Sequence, residues 1–408
     1  MALYDLIIVN DFAHLNGGTA MVALNSALAL ADTGQPVTVF SAVPPIMDKL
    51  NHKNVNVVCT NQFEIAADPN RLRAIRQGLW NRYAARKMSE CLDDFNPERT
   101  IVHVHGWTKS LSSSVIHEAI RRNFPVVISL HDYFVACPNG GFYNYRKNSI
   151  CKLKPLSKKC IFSNCDKADY LQKLWRVSRQ HIQNRIGRIP FDVKYYISIS
   201  NFSRRILENY LPDDADIYDV TNPVFTAKEH PPDYKRQSDK FILIGRLTPE
   251  KGLFLLAEAL RKANCSAVFV GDGECRRELE EKFPEIEIAG WVPHEKVRRY
   301  IRSARALVLP SLWYETQGLV VAEAAANGIA AIVPDSSAAR DMVIDEKTGL
   351  WFKGGDLDSL TKAIIRLKNP DTAMTMGQNA YNNFWVDPPT IRKHINRLND
   401  VYQTILSR

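Results

Sequence analysis

Residues 310–328, PSLWYETQGLVVAEAAANG, contain the turn on which the interpretation of the whole chain depends. The apolar run 306–310 before them predicts a buried strand, and an alanine-rich helix is predicted from Gly318 onward. Glu315 and Glu323 are eight positions apart. On one helix this spacing is a rise of about 12 Å, too far for an acid–base pair. If the helix starts near Gly318, both carboxylates can reach one extended ligand whose phosphate lies at the helix N-terminus, which indicates a nucleotide-sugar site.

The length and composition predict a multidomain globular protein. A chain of 408 residues is expected to form roughly two or three domains. Hydrophobic residues make up 45% and charged residues 24%, which is ordinary for a soluble protein. The sequence has no run of 18 or more apolar residues, so we expect no membrane-spanning helix. The N-terminal residues MALYDLIIVN lack a basic signal-peptide region and predict a strand, so the expected location is cytoplasmic.

The net charge of +9 is unevenly distributed. Residues 1–200 hold 25 Lys+Arg against 15 Asp+Glu, whereas residues 201–408 hold 28 against 29. A basic first half suits an anionic membrane surface, nucleic acid or a phosphorylated substrate, and a solvated basic face explains it equally well.

The first third of the chain predicts a βαβ unit. Residues 3–10 and 37–40 predict strands, and residues 20–32 predict the helix between them. Gly17 and Gly18 lie in the first strand-to-helix loop, where glycines allow a ligand to approach backbone amides. A tight turn is an equal explanation, and the fingerprint G-x-G-x-x-G is absent, which argues against nicotinamide or flavin binding.

Two basic amphipathic helices are predicted further along. Residues 71–92 form the first, and residues 170–186 form the second. The first helix could lie on anionic lipid headgroups or pack its apolar stripe on the sheet. The stripes are Leu72, Ile75, Leu79 and Tyr83 in the first helix, and Leu171, Leu174, Trp175 and Ile182 in the second.

Two histidines are predicted at strand ends. His105 follows the strand 100–104, and His131 follows the strand 125–130 and precedes Asp132. Ligands of parallel sheets bind at the carboxyl ends of strands, so both histidines are candidates for function, with His131 the stronger.

Four of the eight cysteines occur in a basic, loop-like segment, residues 137–165. The numbers of intervening residues are 13, 8 and 4, without a C-x-x-C pair. A structural tetrathiolate metal site, such as zinc, is one interpretation, and free thiols are the other. The four are Cys137, Cys151, Cys160 and Cys165.

A second α/β unit follows a Pro-rich linker, residues 222–239. Its first strand, 240–244, leads into Gly245 and Arg246, and Lys251 precedes the next helix. Two cations at a strand-to-helix junction suit a diphosphate. A second strand end contains Gly271, Asp272 and Gly273. A turn able to bind a base follows it, with Trp291 and Val292.

Taken together, these features resemble the retaining GT-B glycosyltransferases with an E-x7-E motif, glycosyltransferase family 4. The resemblance covers almost the whole chain. Its matching pieces are Gly17-Gly18, His131, Gly245-Arg246, Lys251-Gly252, Gly271-Asp272-Gly273, Pro310-Ser311, and Glu315 through Glu323.

The resemblance implies an α/β GT-B fold, with two Rossmann-like domains whose parallel sheets face each other across a cleft. The domains are expected at residues 1–222, which bind the acceptor and include the insertion 137–165, and at residues 223–387, which bind the donor. A C-terminal helix, residues 388–408, is expected to cross back onto the first domain.

The same resemblance implies roles for individual residues. Arg246 and Lys251 would neutralise the donor diphosphate, Glu315 would hold sugar hydroxyls, and His131 would lie beside the transferred sugar. His105 and Asp132 would lie on the acceptor side. The other expected donor-binding residues are Gly17, Gly18, Gly245, Gly271, Asp272, Gly273, Trp291, Val292, Thr316, Gln317, Gly318, Leu319 and Glu323, the last on the ribose. Gln317 departs from the family, where an aromatic residue is common.

The expected function is transfer of a hexose from a UDP- or GDP-sugar to a glycan acceptor, with retention and without a catalytic metal. The basic first half suggests a lipid-linked acceptor and peripheral contact with the inner face of an anionic membrane in bacterial surface polysaccharide synthesis. The resemblance implies no nucleic-acid partner. A non-catalytic nucleotide-sugar-binding partner of a glycan assembly complex is the alternative.

Overall fold

The structure is a computed structural model that describes residues 4–232, 234 and 238–408. Residues 1–3, which include the start of the first predicted strand, lie outside the described residues. Residues 233 and 235–237 of the predicted linker lie outside them as well. In the described part of the chain, no helix combines the length and hydropathy needed to cross a bilayer.

The first half of the chain forms a seven-stranded parallel sheet in the order β3-β2-β1-β4-β5-β8-β9. A two-stranded antiparallel hairpin, β6–β7, lies in the cysteine-containing segment. The strands are β1 Asp5–Val9, β2 Val37–Ser41, β3 Val55–Cys59, β4 Thr100–Val104, β5 Val126–Ser129, β6 Tyr143–Asn144, β7 Ser149–Ile150, β8 Tyr195–Ser198 and β9 Asp216–Asp219.

Helices cover both faces of this sheet. Successive residues of a strand point to opposite faces, so Ile7 and Val9 belong to one core cluster while Leu6 and Ile8 belong to the other. The helices are α1 Gly17–Asp32, α2 Arg71–Leu79, α3 Arg82–Leu92, α4 Ser114–Arg121, α5 Lys158–Phe162, α6 Tyr170–Arg185 and α7 Asn201–Leu207.

The single helix predicted at residues 71–92 is wrong, because the chain breaks into α2 and α3. Asn81 ends the run: its side chain accepts a hydrogen bond from the Ala84 amide and donates one to the Ser110 carbonyl at 2.8 Å. The predicted stripe is also not the core face, since Leu72 is 69% exposed and Ile75 is 46% exposed.

The apolar stripe predicted for α6 is likewise not its buried face. Leu171 is 77% exposed, and the buried face of α6 is mostly polar. These polar side chains are buried because other segments offer them partners: Gln183 accepts a hydrogen bond from Trp107 and donates one to the Phe134 carbonyl. The buried residues of α6 are Lys173, Val177, Arg179, Gln180 and Gln183.

The second half forms a six-stranded parallel sheet in the order β12-β11-β10-β13-β14-β15. Its strands are β10 Phe241–Ile244, β11 Ala267–Val270, β12 Glu287–Gly290, β13 Ala306–Val308, β14 Ala331–Pro334 and β15 Gly349–Phe352. Its helices are α8 Leu253–Ala263, α9 Arg276–Lys282, α10 His294–Ser303, α11 Leu319–Ala326, α12 Leu357–Lys368 and α13 Pro370–Val386. Two parallel sheets with covering helices confirm the predicted α/β class.

Short 3₁₀ turns occur at Asp48–Leu50, Pro97–Arg99, Glu208–Tyr210, Pro249–Lys251 and Ala338–Met342. The last helix, α14 Ile391–Leu406, packs on the first sheet rather than the second. It contacts α1 and β4, and its Leu398 and Tyr402 lie in the same core cluster as Leu6 and Ile8. The domain limits 1–222, 223–387 and 388–408 stay predictions.

Candidate functional site

The carboxyl ends of the two sheets meet at the loop that follows β13. The Thr316 hydroxyl donates a hydrogen bond to the His131 carbonyl, which follows β5, at 3.0 Å. The Thr316 carbonyl accepts one from the Ser200 hydroxyl, which follows β8, at 2.7 Å. A cleft between strand ends is where ligands of open parallel sheets bind. The turn within residues 310–318 is therefore part of the contact between the two sheets.

An ion pair between Lys251 and Glu315 lies at the centre of this loop. The Lys251 ammonium bonds the Glu315 carboxylate, which also accepts a hydrogen bond from Ser311 at 2.9 Å. Glu315 is 8% exposed. Burial alone would raise the pKa of Glu315, but Lys251 and the hydrogen bonds hold it below its ordinary value. Glu315 is thus ionised, and Lys251 presents a charge at the N-terminal side of α11.

Gly252 explains how Lys251 is brought to Glu315. Its φ is +71°, and a Cβ built there would lie 2.0 Å from the Pro310 carbonyl oxygen. Only glycine allows the β10–α8 loop to lie this close to the β13 strand end. Gly318 acts similarly at the start of α11, with φ +81° and its Cβ position 3.0 Å from Ala339.

Two further predicted donor-site glycines, Gly271 and Gly273, have a structural explanation of their own. A Cβ at Gly271 would lie 1.8 Å from the Gly245 carbonyl oxygen, and one at Gly273 would lie 2.4 Å from the Leu247 carbonyl oxygen. Neighbouring strand ends pack backbone against backbone here. Asp272 accepts a hydrogen bond from the Gly273 amide and pairs with Arg276. These residues shape the loop whether or not a ligand is bound.

Several further predicted donor-site residues of the second domain are exposed or half-buried. Arg246 is exposed, and its charge acts on Tyr145 in the hairpin turn of the first domain, whose pKa burial raises. Trp291 is 74% exposed, and Val292 and Leu319 are half-buried. Glu323 lines a cavity of about 260 Å³ together with Arg298 and Asn327.

Gln317 is an unusual member of the turn. It is 3% exposed, and neither its amide nitrogen nor its carbonyl oxygen has a hydrogen-bond partner among the described residues. Buried amides normally have partners, so a ligand hydroxyl would satisfy this side chain.

Gly17 and Gly18 form the exposed N-terminus of α1, beyond the end of β1. No atom lies within 4 Å of a Cβ built at either residue. Gly17 has φ +77°, so its backbone favours glycine, whereas Gly18 meets no such constraint. A requirement for glycine at position 18 would therefore come from a ligand rather than from the fold.

The two predicted histidines form a pair in the first sheet. His105 Nδ1 and His131 Nε2 share a hydrogen bond of 2.9 Å, and the rings stack with centroids 5.1 Å apart. The His131 ring therefore faces the first domain, and its carbonyl faces the turn at Thr316. Asp132 caps the following turn by accepting a hydrogen bond from the Phe134 amide, and burial raises the pKa of Asp132 to about 6.

Burial of the histidines predicts an acid-sensitive fold. It lowers the pKa of His131 to about 3 and that of His394, on α14, to about 4, from 6.5. Between pH 6.5 and about 4 the unfolded chain binds protons that the folded chain does not. Stability is therefore complete above pH 6.5 and is lost as the pH falls, by up to about 1.4 kcal/mol per pH unit for each histidine.

Urea unfolding at pH 7.5, 6 and 5 measures this effect, and the transition midpoint is expected to fall at each step. Asp132 and Asp11 oppose it, since burial raises the pKa of each and their protonation in the folded state stabilises at low pH. His394→Gln should reduce the slope of the unfolding free energy against pH by the contribution of one histidine. Equal midpoints at pH 7.5 and 5 would contradict the expectation.

The four clustered cysteines surround a lysine instead of forming a metal site. Lys173 is 1% exposed, and its Nζ lies 3.6 Å from Cys160 Sγ. Among the described residues, no three His, Cys, Asp or Glu side chains are arranged to hold a metal ion. A buried ammonium opposes a second cation. The structural-zinc prediction for Cys137, Cys151, Cys160 and Cys165 is thus corrected to free thiols around Lys173.

The cysteine-containing insertion borders the second domain. Trp313 lies close to Gly141, and Lys167 forms an ion pair with Glu274 at 2.5 Å. Ser200 and Ser311 complete the contacts of the central turn, and the sequence analysis assigned neither a role. The rule that parallel strands bind ligands at their carboxyl ends would have selected Ser200, which follows β8 directly.

Comparison with known proteins agrees with this architecture. The chain is similar in structure to sucrose-phosphate synthase from Thermosynechococcus elongatus, with a TM-score of 0.72, 17% identity and 99% of both chains covered. It is also similar to Anabaena HepE in complex with UDP and glucose, with a TM-score of 0.68, 13% identity and coverage of 98% and 100%. The fold is GT-B. The predicted fold class is therefore confirmed.

Sequence similarity to known proteins covers part of this GT-B chain. Residues 227–383 match the family model Glycosyl transferases group 1. An Escherichia coli UDP-Gal:alpha-D-GlcNAc-diphosphoundecaprenol alpha-1,3-galactosyltransferase is 28% identical over 41% of this chain and 46% of its own length. A GDP-mannose-dependent alpha-mannosyltransferase from Mycolicibacterium smegmatis is 34% identical over 30% and 31%. The chain spans less than half the length of these relatives.

Proposed function

We propose that this GT-B chain is a retaining hexosyltransferase that uses a UDP- or GDP-sugar. The observation that carries the proposal is the Lys251–Glu315 ion pair at the start of α11, in a turn that contacts the first domain through Thr316 and His131. The names of the two relatives support a nucleotide-sugar donor, one with UDP and one with GDP.

The charges of the site suit departure of a nucleoside diphosphate. Lys251, Arg246 and the N-terminal amides of α11 would stabilise the negative charge that develops as the glycosidic bond breaks. Glu315 would hold sugar hydroxyls, and Glu323 would hold the ribose. With these fixed cations, the proposed transfer needs no catalytic metal.

The acceptor is proposed to be a lipid-linked glycan in bacterial polysaccharide synthesis. Residues 146–194 hold 13 Lys+Arg against 3 Asp+Glu, so the excess positive charge of the chain lies in the part of the first domain that carries α5 and α6. Such a surface attracts anionic membranes, and the enzyme would work at the inner face of the cell membrane. The E. coli relative is named for a diphosphoundecaprenol-linked acceptor.

A panel of UDP- and GDP-sugars tests the proposal. One donor is expected to raise the melting temperature and to be consumed when a lipid-linked acceptor is added, and proton NMR of the product should show the anomeric configuration of the donor. Binding without turnover would favour the non-catalytic partner instead. Stabilisation by none of the donors would overturn the whole proposal, and an inverted product would overturn retention.

Gly18→Ala separates a ligand contact from a structural role. The new methyl meets no protein atom, and alanine favours a helical first turn, so the melting temperature should stay equal or rise slightly. If the donor diphosphate approaches this amide, its KM should rise about tenfold, the equivalent of about 1.4 kcal/mol. An unchanged KM would remove Gly18 from the donor site.

A further inference from the structure

A second cavity lies in the first domain, between α2 and α6. Its volume is about 490 Å³. Gly78 lets the two helices approach, since a Cβ there would lie 2.4 Å from the Trp175 ring, and Trp175 Nε1 donates a hydrogen bond to the Ile75 carbonyl at 3.3 Å. Its lining includes Arg71, Ile75, Phe134, Leu171, Trp175 and Arg179.

Arg179 is a buried cation in the wall of this cavity. It is 7% exposed and lies between the rings of Phe134, at 4.7 Å, and Trp175, at 5.3 Å. Its guanidinium donates to the carbonyls of Thr108 and Pro138. In the described part of the chain it has no carboxylate partner within 4 Å. Burial lowers the pKa of Arg179 to about 9, and the charges of Asp132, Asp11 and Asp166 offset this effect only in part.

The open side of the cavity carries apolar and basic side chains, and two carboxylates also line it, Asp169 and the Glu64 that pairs with Lys109. Leu171 on α6 is 77% exposed and Ile75 on α2 is 46% exposed, so both helices present an apolar side chain to solvent. Arg71 bonds only the Ala66 carbonyl among the described residues, at 3.3 Å. Apolar side chains beside cations suit a ligand with a negative head and a hydrocarbon continuation.

The cavity shares its walls with the proposed acceptor side. Phe134 lies in the loop after β5, where its amide donates to Asp132. Lys109 lines the cavity and lies in the loop after β4 that carries His105; its amide donates to Asp11. A ligand in the cavity would therefore lie beside the two loops that carry His105 and Asp132, the residues proposed for the acceptor side.

We propose that this cavity binds the diphosphate and the adjoining prenyl carbons of a lipid-linked acceptor. Arg179 and Arg71 take the diphosphate, and Leu171, Ile75 and Trp175 take the hydrocarbon. This assignment deepens the proposed function, on which it rests, by naming where the acceptor anchor lies.

Calorimetry of the full chain with farnesyl diphosphate tests the assignment. Leu171→Glu and Arg71→Gln are each expected to raise Kd at least fivefold. Phe162→Glu is the matched control, since Phe162 is also 77% exposed but does not line the cavity, and its Kd should equal that of the wild type. Farnesol and inorganic diphosphate should each bind more weakly, and saturating UDP should leave farnesyl diphosphate binding intact.

Unchanged Kd in both Leu171→Glu and Arg71→Gln, or equal weakening in Phe162→Glu, would overturn the assignment. Displacement of farnesyl diphosphate by UDP would also overturn it. So would displacement by phosphatidylglycerol vesicles, which would assign the cavity to bilayer headgroups. Failure of the proposed function would be detected by a different measurement from failure of the cavity assignment. It would appear as absent stabilisation of the wild type by nucleotide sugars, a readout that Leu171→Glu should not change.

Discussion

Replacement of Lys251 by methionine is expected to lower kcat/KM by roughly 1,000-fold. The reason is electrostatic: a fixed cation in a partly buried site stabilises developing charge far better than solvent does, and loss of one such group costs about 10²–10³ in rate. The Lys251 side chain is 19% exposed, so little water can replace its charge. Steady-state kinetics with the donor identified in the nucleotide-sugar panel measures the effect.

The same substitution should also destabilise the fold, which must be separated from the catalytic loss. It leaves the Glu315 carboxylate buried without its cation, a change that costs about 3–5 kcal/mol. Lys251→Met with Glu315→Gln removes both charges and should recover most of that stability without recovering activity. Lys262→Met is the matched control, because Lys262 is 45% exposed and pairs with Asp358 at the surface. Full activity of the double variant would contradict the assigned role of Lys251.

Gly252→Ala is expected to destabilise the fold strongly. It combines two costs, a φ of +71° and a Cβ 2.0 Å from the Pro310 carbonyl oxygen. The conformational cost alone is about 1–2 kcal/mol. The collision involves backbone atoms, which cannot rotate away, so the β10–α8 loop and the β13 strand end must separate. We expect a total loss above about 4 kcal/mol, together with loss of the Lys251–Glu315 pair.

Gly34→Ala is the control that isolates the conformational cost. Gly34 has φ +93°, and no atom lies within 4 Å of its Cβ position. Urea unfolding of the two variants should give a small loss for Gly34→Ala and a much larger one for Gly252→Ala. Equal losses would mean that the strand ends separate easily and that Gly252 does not hold the site together.

Much of the fold was predictable from local sequence. Apolar runs such as those at β1 and β13 predict buried strands because a parallel sheet is covered on both faces. The central turn was likewise predictable, since Gly318 begins α11 and leaves Glu315 before it and Glu323 within it.

The helices of the first domain show where such reasoning stops. Helical periodicity identifies an apolar stripe but not the surface that the helix meets. In α6, Lys173, Arg179 and Gln183 are buried because thiols, carbonyls and an indole from distant segments satisfy them. The apolar Leu171 is left in solvent. The metal-site prediction for the clustered cysteines failed for the same reason, because their spacing in the sequence did not show that Lys173 lies among them.

The sequence by itself determined two βαβ arrays, their strand ends and the residue types placed there, because these depend on short-range periodicity and backbone preference. Only the tertiary structure decided which of those residues meet. The strand order brings His105 to His131 and Lys251 to Glu315, and the packing of the two sheets brings Thr316 to His131. These pairs are separated by 26, 64 and 185 positions, distances over which local pattern carries no information. The central turn thus depends on the sequence for its shape and on the fold for its chemistry.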